Sequence, residues 1–349
     1  MNNEEGITVL SLFDGMSCGQ IALRELGIKV KTYYASEIEP NAIQNTNYNF
    51  PNTVQLGDVC NVSAKDLPKI DLLIGGSPCQ GFSIIGKRLN FKDPRSVLFF
   101  EYVRILKEVR EKNPDVLFLL ENVKMKREFE AIISEYLGLQ PVEINSALVS
   151  AQSRVRLYWT NIKTREEGLF REVYTDIPQP ADRKQTLKDI LDEDVEQKYF
   201  VSEQSLKGFV QYNERQRENK NGFKVVFYSQ QSKMPCITTK YRRRDLVIVQ
   251  RGHGFNKGGV FAEKTPTLTA SSWEHNNYVV ELTPQNAINL VGGVRRLTPK
   301  ETARLQTIPD WYRWNVKETQ IYKMLGNGWT VEVIKHIFSF IKPKVLCYK

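Results

Sequence analysis

Apolar residues fall in short runs separated by stretches in which they recur every three or four positions, and the two patterns alternate through the first half of the chain. Ile7 to Phe13, Thr32 to Ser36, Thr53 to Leu56, the four residues after Asp71, Asp115 to Leu120, Val142 to Val149 and Arg154 to Thr160 predict seven strands. Gln20 to Leu26, closed by Gly27, predicts a helix, as do Ser96 to Arg110 and Phe129 to Leu137. On the second of these, Leu98, Tyr102, Ile105, Leu106 and Val109 share one face. Strand and helix in alternation predict an α/β fold with a mostly parallel sheet. Near the far end, Arg295 to Gln306 and Val331 to about Ile341 predict two more helices.

From about Gly168 the alternation stops and polarity rises, which sets a domain boundary between there and Asp189. Inside the second region, Lys233 to Thr239 followed by Leu246 to Val249 resembles Lys264 to Ala270 followed by Tyr278 to Glu281. Each unit reads as a β-ribbon opened by proline. We therefore expect a catalytic domain over 1–180 completed by 319–349, and a small β-rich domain over 181–318.

The chain has 349 residues and a net charge of +9. Between Lys220 and Gly259 stand nine basic residues, Lys220, Lys224, Lys233, Lys240, Arg242, Arg243, Arg244, Arg251 and Lys257, against the single acid Asp245. That imbalance, interleaved with Phe223, Phe227, Tyr228 and Tyr241, favours a polyanion such as nucleic acid over a merely solvated face. The opening Met-Asn-Asn-Glu-Glu lacks a secretory pattern and no run is long enough to span a bilayer, so a cytoplasmic protein is expected. Five cysteines (18, 60, 79, 236, 347) form no CxxC pair, which argues for reduced thiols and no metal site.

Three features carry candidate chemistry. The strand after Asp71 runs into Gly75-Gly-Ser-Pro-Cys79-Gln80, a turn that presents one thiol where α/β sheets bind ligands. Cys79 is a candidate nucleophile if positive charge lowers its pKa; taken alone it reads rather as an inert packing cysteine, and the rest of the chain reverses that. Asp14-Gly15 to Gly19 forms a glycine loop between strand and helix, Glu37 ends the second strand eighteen residues past Gly19, and Asp58 ends the third. Those acids are placed to accept hydrogen bonds from ribose hydroxyls and an adenine amino group. Glu121-Asn122 ends the fifth strand, where Glu121 is either held protonated by desolvation or paired in a salt bridge. Arg154 and Arg156 alternate onto one side of the seventh strand.

In this order and spacing, Phe13-Asp14-Gly15 with Gly19, Glu37, Asp58, Pro78-Cys79-Gln80, Glu121-Asn122-Val123, Gln152-Ser-Arg154-Val-Arg156, Arg296-Leu-Thr-Pro-Lys-Glu301 and Gly326-Asn327 resemble the cytosine-5 DNA methyltransferases. The bacterial and phage modification enzymes are closest in size, while the Gly-Gly-Ser-Pro-Cys context is also similar to the vertebrate de novo enzymes. The resemblance implies a Rossmann-like S-adenosylmethionine-dependent domain with a mixed, mostly parallel seven-stranded sheet, plus a target recognition domain. It implies that Phe13 stacks on the cofactor adenine, with Glu37 at the ribose and Asp58 at the adenine amino group. Asp14, Gly15, Gly19, Ile38, Val59, Pro78 and Asn327 complete the implied cofactor pocket. Cys79 would attack C6 of a flipped-out cytosine, Glu121 would meet N3, Asn122 would fix the loop, and Arg154 and Arg156 would position the base. Gln80, Ser83, Lys240, Arg242, Arg243, Arg244 and Arg251 would touch double-stranded DNA. A monomer is expected, with room for a cognate restriction endonuclease acting separately. Two rivals remain, methylation of cytosine in transfer RNA and an inactive binding homologue. Gly326-Asn-Gly-Trp-Thr330 departs from many bacterial relatives, which carry a small residue and Val.

Overall fold

Seven apolar runs pair edge to edge as the sequence pattern requires. The computed structural model describes residues 6–77, 94–218, 226–228, 233–234, 245–248 and 294–341. The strands are β1 (Ile7–Leu12), β2 (Val30–Ser36), β3 (Val54–Gln55), β4 (Leu72–Gly75), β5 (Leu117–Val123), β6 (Val142–Asn145) and β7 (Val155–Thr160), in the order β3-β2-β1-β4-β5-β7-β6. Every ladder from β3 to β5 is parallel, and β7 alone runs against both its neighbours. The central strands β1 and β4 are buried throughout, as strands covered on both faces must be.

Side chains alternate between two cores. Ile7, Val9, Leu72, Ile74 and Leu119 face one layer, with α1 (Cys18–Glu25) and the last helix. Leu10, Leu12, Leu73, Phe118 and Leu120 face the other, with α3 (Pro94–Lys112) and α4 (Arg127–Leu137). The helix α2 (Pro40–Asn49) follows β2.

Register sets the functional edge. Leu12 stands level with Ser36 on one side and Gly75 on the other, and Gly75 with Leu120. The next residues, Phe13, Glu37 and Gly76, therefore leave the sheet along one carboxyl-terminal edge, level with Glu121 on β5, where open α/β sheets bind ligands. β7 enters that edge from the opposite direction and brings Arg154 and Arg156 to it.

Several elements differ from expectation. β5 continues through Val123, because β7 pairs with it as far as Val123 and Arg156; Glu121 thus lies inside a strand. The predicted sixth strand stops at Asn145, where the Asn145 side chain accepts from the Ala147 amide and starts a 3-10 turn. A hairpin, β8 (Thr164–Glu167) and β9 (Glu172–Thr175), occupies the place where regular structure seemed to end; β8 is exposed throughout and carries no apolar period to betray it.

Beyond it come α5 (Glu203–Glu218) and a small sheet of β10 (Val226–Tyr228), β11 (Asp245–Ile248) and β12 (Val294–Arg295). The helix expected from Arg295 begins at Pro299 instead (α6, Pro299–Leu305). Thr298 and Glu301 form a reciprocal capping box there and proline takes the first helical position. α6 sits on a seam: Leu297 and Leu305 pack with Ala151, Leu187, Ile190, Met234 and Tyr322, whereas Ala303 belongs to the first core. α7 (Glu318–Asn327) and α8 (Val331–Phe338) close the fold, α8 against α1. Among the described residues no helix is long and apolar enough to cross a membrane.

Candidate active site

Glu121 is the centre of the carboxyl-terminal edge and only 8% exposed. Arg156 lies across the antiparallel ladder with its Nε 2.9 Å from Oε1 of Glu121, and Nε1 of Trp329 donates to Oε2 at 3.0 Å. Of the two readings open for Glu121, the structure adopts the salt bridge. Arg154, 5% exposed, donates instead to the carbonyls of Gly326 at 3.4 Å and Gly328 at 3.0 Å, clamping the loop that carries Trp329. The Asn122 amide donates to Ser77 Oγ at 3.2 Å, which ties β5 to the last described residue before Pro78. Pro78, Cys79, Gln80 and Ser83 lie outside the described residues, as do Lys240, Arg242, Arg243, Arg244 and Arg251.

The glycine loop and the strand-end acids gather at the other half of the edge. Phe13 and Ser17 adopt left-handed backbone (φ 58° and 64°), and Gly15 does too at φ 58°. Oε2 of Glu37 accepts from the Gly15 amide at 2.7 Å, while Oε1 accepts from the Ile38 and Glu39 amides. Three of roughly four acceptor positions on the carboxylate are thus used. Ile38 is 70% exposed, an unusual position for a large aliphatic residue. The Asp58 carboxylate accepts from the Cys60 amide, and Ser36 Oγ binds the Gly57 carbonyl, bringing that turn against β2. Val59 is buried under the turn and Asn327 is exposed at the end of α7.

Gly19 has a different reason from Gly15. A Cβ there would lie 2.2 Å from Ile74 Cδ1 and 3.2 Å from the Tyr33 hydroxyl, so its bareness lets α1 press onto the sheet. Asp14 accepts from the Tyr33 hydroxyl at 2.8 Å through Oδ1, while its Oδ2 is buried without a hydrogen-bond partner. Burial raises its carboxyl to about 6, against the opposing influence of the Ser11, Ser17 and Tyr33 hydroxyls. Burial likewise pushes the Cys18 thiol up to about 12, so that it packs rather than reacts.

Lys233 leaves the basic stretch with which it was counted. Its Nζ donates to the carbonyls of Ala147, Ser150 and Gln185 at 2.6, 3.1 and 2.7 Å. The contact of Trp329 with Glu121 was not foreseen, although the departure at Gly326 to Thr330 marked the segment that makes it. Among the described residues no group of three or more His, Cys, Asp or Glu could hold a metal ion.

The fold is that of the S-adenosylmethionine-dependent methyltransferases. An S. pombe Dnmt2 methyltransferase superposes with a TM-score of 0.65 at 22% identity, over 97% of this chain and 98% of that one. EhMeth of Entamoeba histolytica gives 0.69 at 16% identity, over 97% and 98%. The family model for C-5 cytosine-specific DNA methylases matches residues 7–343, and the chain belongs to that family. Among relatives, the type II methyltransferase M1.ScrFI of Lactococcus lactis subsp. cremoris is 30% identical over 342 residues, covering 94% of this chain and 76% of the relative. M.HpaII of Haemophilus parainfluenzae is 30% identical over 352 residues, covering 96% and 88%. The orphan methyltransferase M.SPRI of Bacillus phage SPR is 28% identical, covering 95% and 97%.

Proposed function

We propose that this chain methylates C5 of cytosine within a specific sequence of double-stranded DNA, with Cys79 as the nucleophile. The observation that carries the reading is the Glu121 carboxylate, held between Arg156 and Trp329 on the strand adjacent to the one that leads into Cys79. An aromatic C5 is a weak nucleophile. Addition of the Cys79 thiolate at C6 pushes electron density towards C5 and N3; a proton shared between Glu121 and N3 would neutralise the charge developing there, since a bare carboxylate would repel it. Once C5 carries the methyl group, transfer of its proton to a base would break the C6–S bond, release Cys79 as the thiolate and restore the aromatic ring. Because C6 is buried in the stack, the base is first flipped out at a cost of a few kcal/mol.

S-adenosylmethionine supplies an electrophilic methyl group on a sulfonium. Three observations fit its binding: the unpartnered Asp14 Oδ2 suits a cationic amino group, the exposed Ile38 suits an adenine face, and Glu37 keeps acceptor capacity for a ribose hydroxyl. Phe13, Gly15, Asp58 and Val59 border the same edge and Gly19 supports it from the packed side; in this reading Asn327 and Pro78 also belong to the pocket.

Residues 1–180 with 319–349 form the catalytic domain and 181–318 the target recognition domain, with α6 at their seam. Gln80, Ser83, Lys240, Arg242, Arg243, Arg244 and Arg251 contact DNA in this reading. The protein acts as a monomer in the cytoplasm of a bacterium or phage-infected host, where an endonuclease of matching specificity would act separately. Bisulfite sequencing of plasmid from cells expressing the protein, beside Cys79→Ala, tests the reading. Protected cytosines in one short context, absent from the variant, are expected. No protection by the folded protein would overturn the duplex DNA reading, and transfer RNA would be assayed next.

A further inference from the structure

Trp329 has no part in the chemistry set out above, yet its indole is the second hydrogen-bond donor to Glu121. The loop that carries it is held from several sides. Arg154 donates to the Gly326 and Gly328 carbonyls, Gln306 Nε2 donates to the Leu325 carbonyl at 2.6 Å, and Thr330 Oγ1 donates to Gln306 Oε1 at 2.9 Å. The buried Cys18 sulfur lies against the same loop, 3.3 Å from where a Cβ on Gly328 would stand. A bare glycine makes room for the ring: a Cβ at Gly76 would lie 2.9 Å from Trp329 Nε1 and 3.0 Å from Glu121 Oε2.

A carboxylate anchored at one oxygen can still swing about its terminal torsion; anchored at both, it cannot. Arg156 takes Oε1 and Trp329 takes Oε2, so the carboxylate plane is set by two groups that lie on different elements. An aliphatic side chain at position 329 would supply no such donor.

We propose that Trp329 is a positioning residue for the methyl transfer: its indole N–H fixes the plane in which Glu121 meets the cytosine ring. The inference rests on the functional reading above, in which Glu121 contacts N3. It assigns the ring an action through Glu121, distinct from any contact it makes as a wall of the cofactor pocket. Preorganisation of this kind is lost steeply with small displacements.

The test is single-turnover methyl transfer to cognate duplex DNA by the wild type, Trp329→Phe, Trp329→His and Glu121→Ala, and by Trp329→Phe combined with Glu121→Ala. Trp329→Phe keeps a flat ring but removes the donor; the rate should fall about tenfold, with KM for S-adenosylmethionine within about twofold of wild type. Trp329→His, which retains a ring N–H, should recover part of the rate. In the Glu121→Ala background the Phe substitution should cost less than about twofold, because residues acting as a unit are not additive. Calorimetric cofactor binding by each variant verifies folding. Undiminished turnover with a raised KM, or the same tenfold loss on top of Glu121→Ala, would overturn the proposal and leave Trp329 a cofactor wall. A folded wild type inactive on duplex DNA would defeat the functional reading itself, a result distinct from either.

Discussion

Nε of Arg156 stands 2.9 Å from Oε1 of Glu121 across the antiparallel ladder of β5 and β7, and both side chains are nearly buried. A pair so enclosed depends on both partners, since removal of one leaves the other charged and desolvated. Arg156→Ala should lower kcat by roughly a hundredfold or more. Arg156→Lys, which retains charge without the planar fork, should recover only a fraction of that loss. Transfer of labelled methyl groups to plasmid DNA measures both; an alanine variant within threefold of wild type would show that Glu121 does not need the pair.

Gly76→Ala introduces a Cβ 2.9 Å from Trp329 Nε1 and 3.0 Å from Glu121 Oε2, so it forces that contact apart. The neighbouring groups are a ring and a carboxylate already fixed on other sides, and strain on the order of 1–3 kcal/mol is expected. Turnover should drop about ten- to a hundredfold, with the melting temperature lowered by only a few degrees. A stable variant with wild-type turnover would show that the Trp329 to Glu121 contact is dispensable.

Asp14 gives stability an unusual pH dependence. Its carboxyl is raised by burial from 3.8 to about 6, so between those values the folded protein binds the proton better than the unfolded chain. Its contribution is therefore present at low pH and is lost as pH rises from about 4 to about 6, by roughly 2–3 kcal/mol. Other carboxylates slope the opposite way, so the informative quantity is the difference from Asp14→Asn. In urea titrations without cofactor, the variant should gain on the wild type as pH rises through that window; a constant difference would mean the carboxyl is not perturbed.

Arg295 and Glu301 form an ion pair at 2.6 Å with side chains 1% and 0% exposed. Glu301 also accepts from the Thr298 and Asp192 amides, so the pair ties the α6 cap to the loop before α5. Arg295→Met should destabilise the fold by about 3–5 kcal/mol, and Arg295→Met with Glu301→Leu by clearly less. Denaturant midpoints decide the point; equal losses in the single and double variants would mean that the buried charge is not what costs stability.

Much of this was legible in the residues. β1 and β4 are continuous apolar runs, α1 ends at a glycine, and Thr298-Pro299 with Glu301 announces a helix start, although the arginines before it drew the expected boundary three to four residues early. The hairpin β8 and β9 was invisible because an exposed strand has no apolar period. Lys233 read as one charge in a basic stretch until three carbonyls claimed it.

Local chemistry alone therefore determined the alternation of strands and helices, the glycine turns, and the placing of Phe13, Glu37 and Glu121 at strand ends or beside them, since periodicity and backbone preference act over a few residues. Tertiary structure decided what those side chains touch. The reversed direction of β7 carries β5 past Glu121 and sets Arg156 beside it, and the Trp329 indole reaches the same carboxylate from 208 positions away. Such contacts depend on strand order and on the space left by Gly76, which no local pattern of hydrophobic and polar residues encodes.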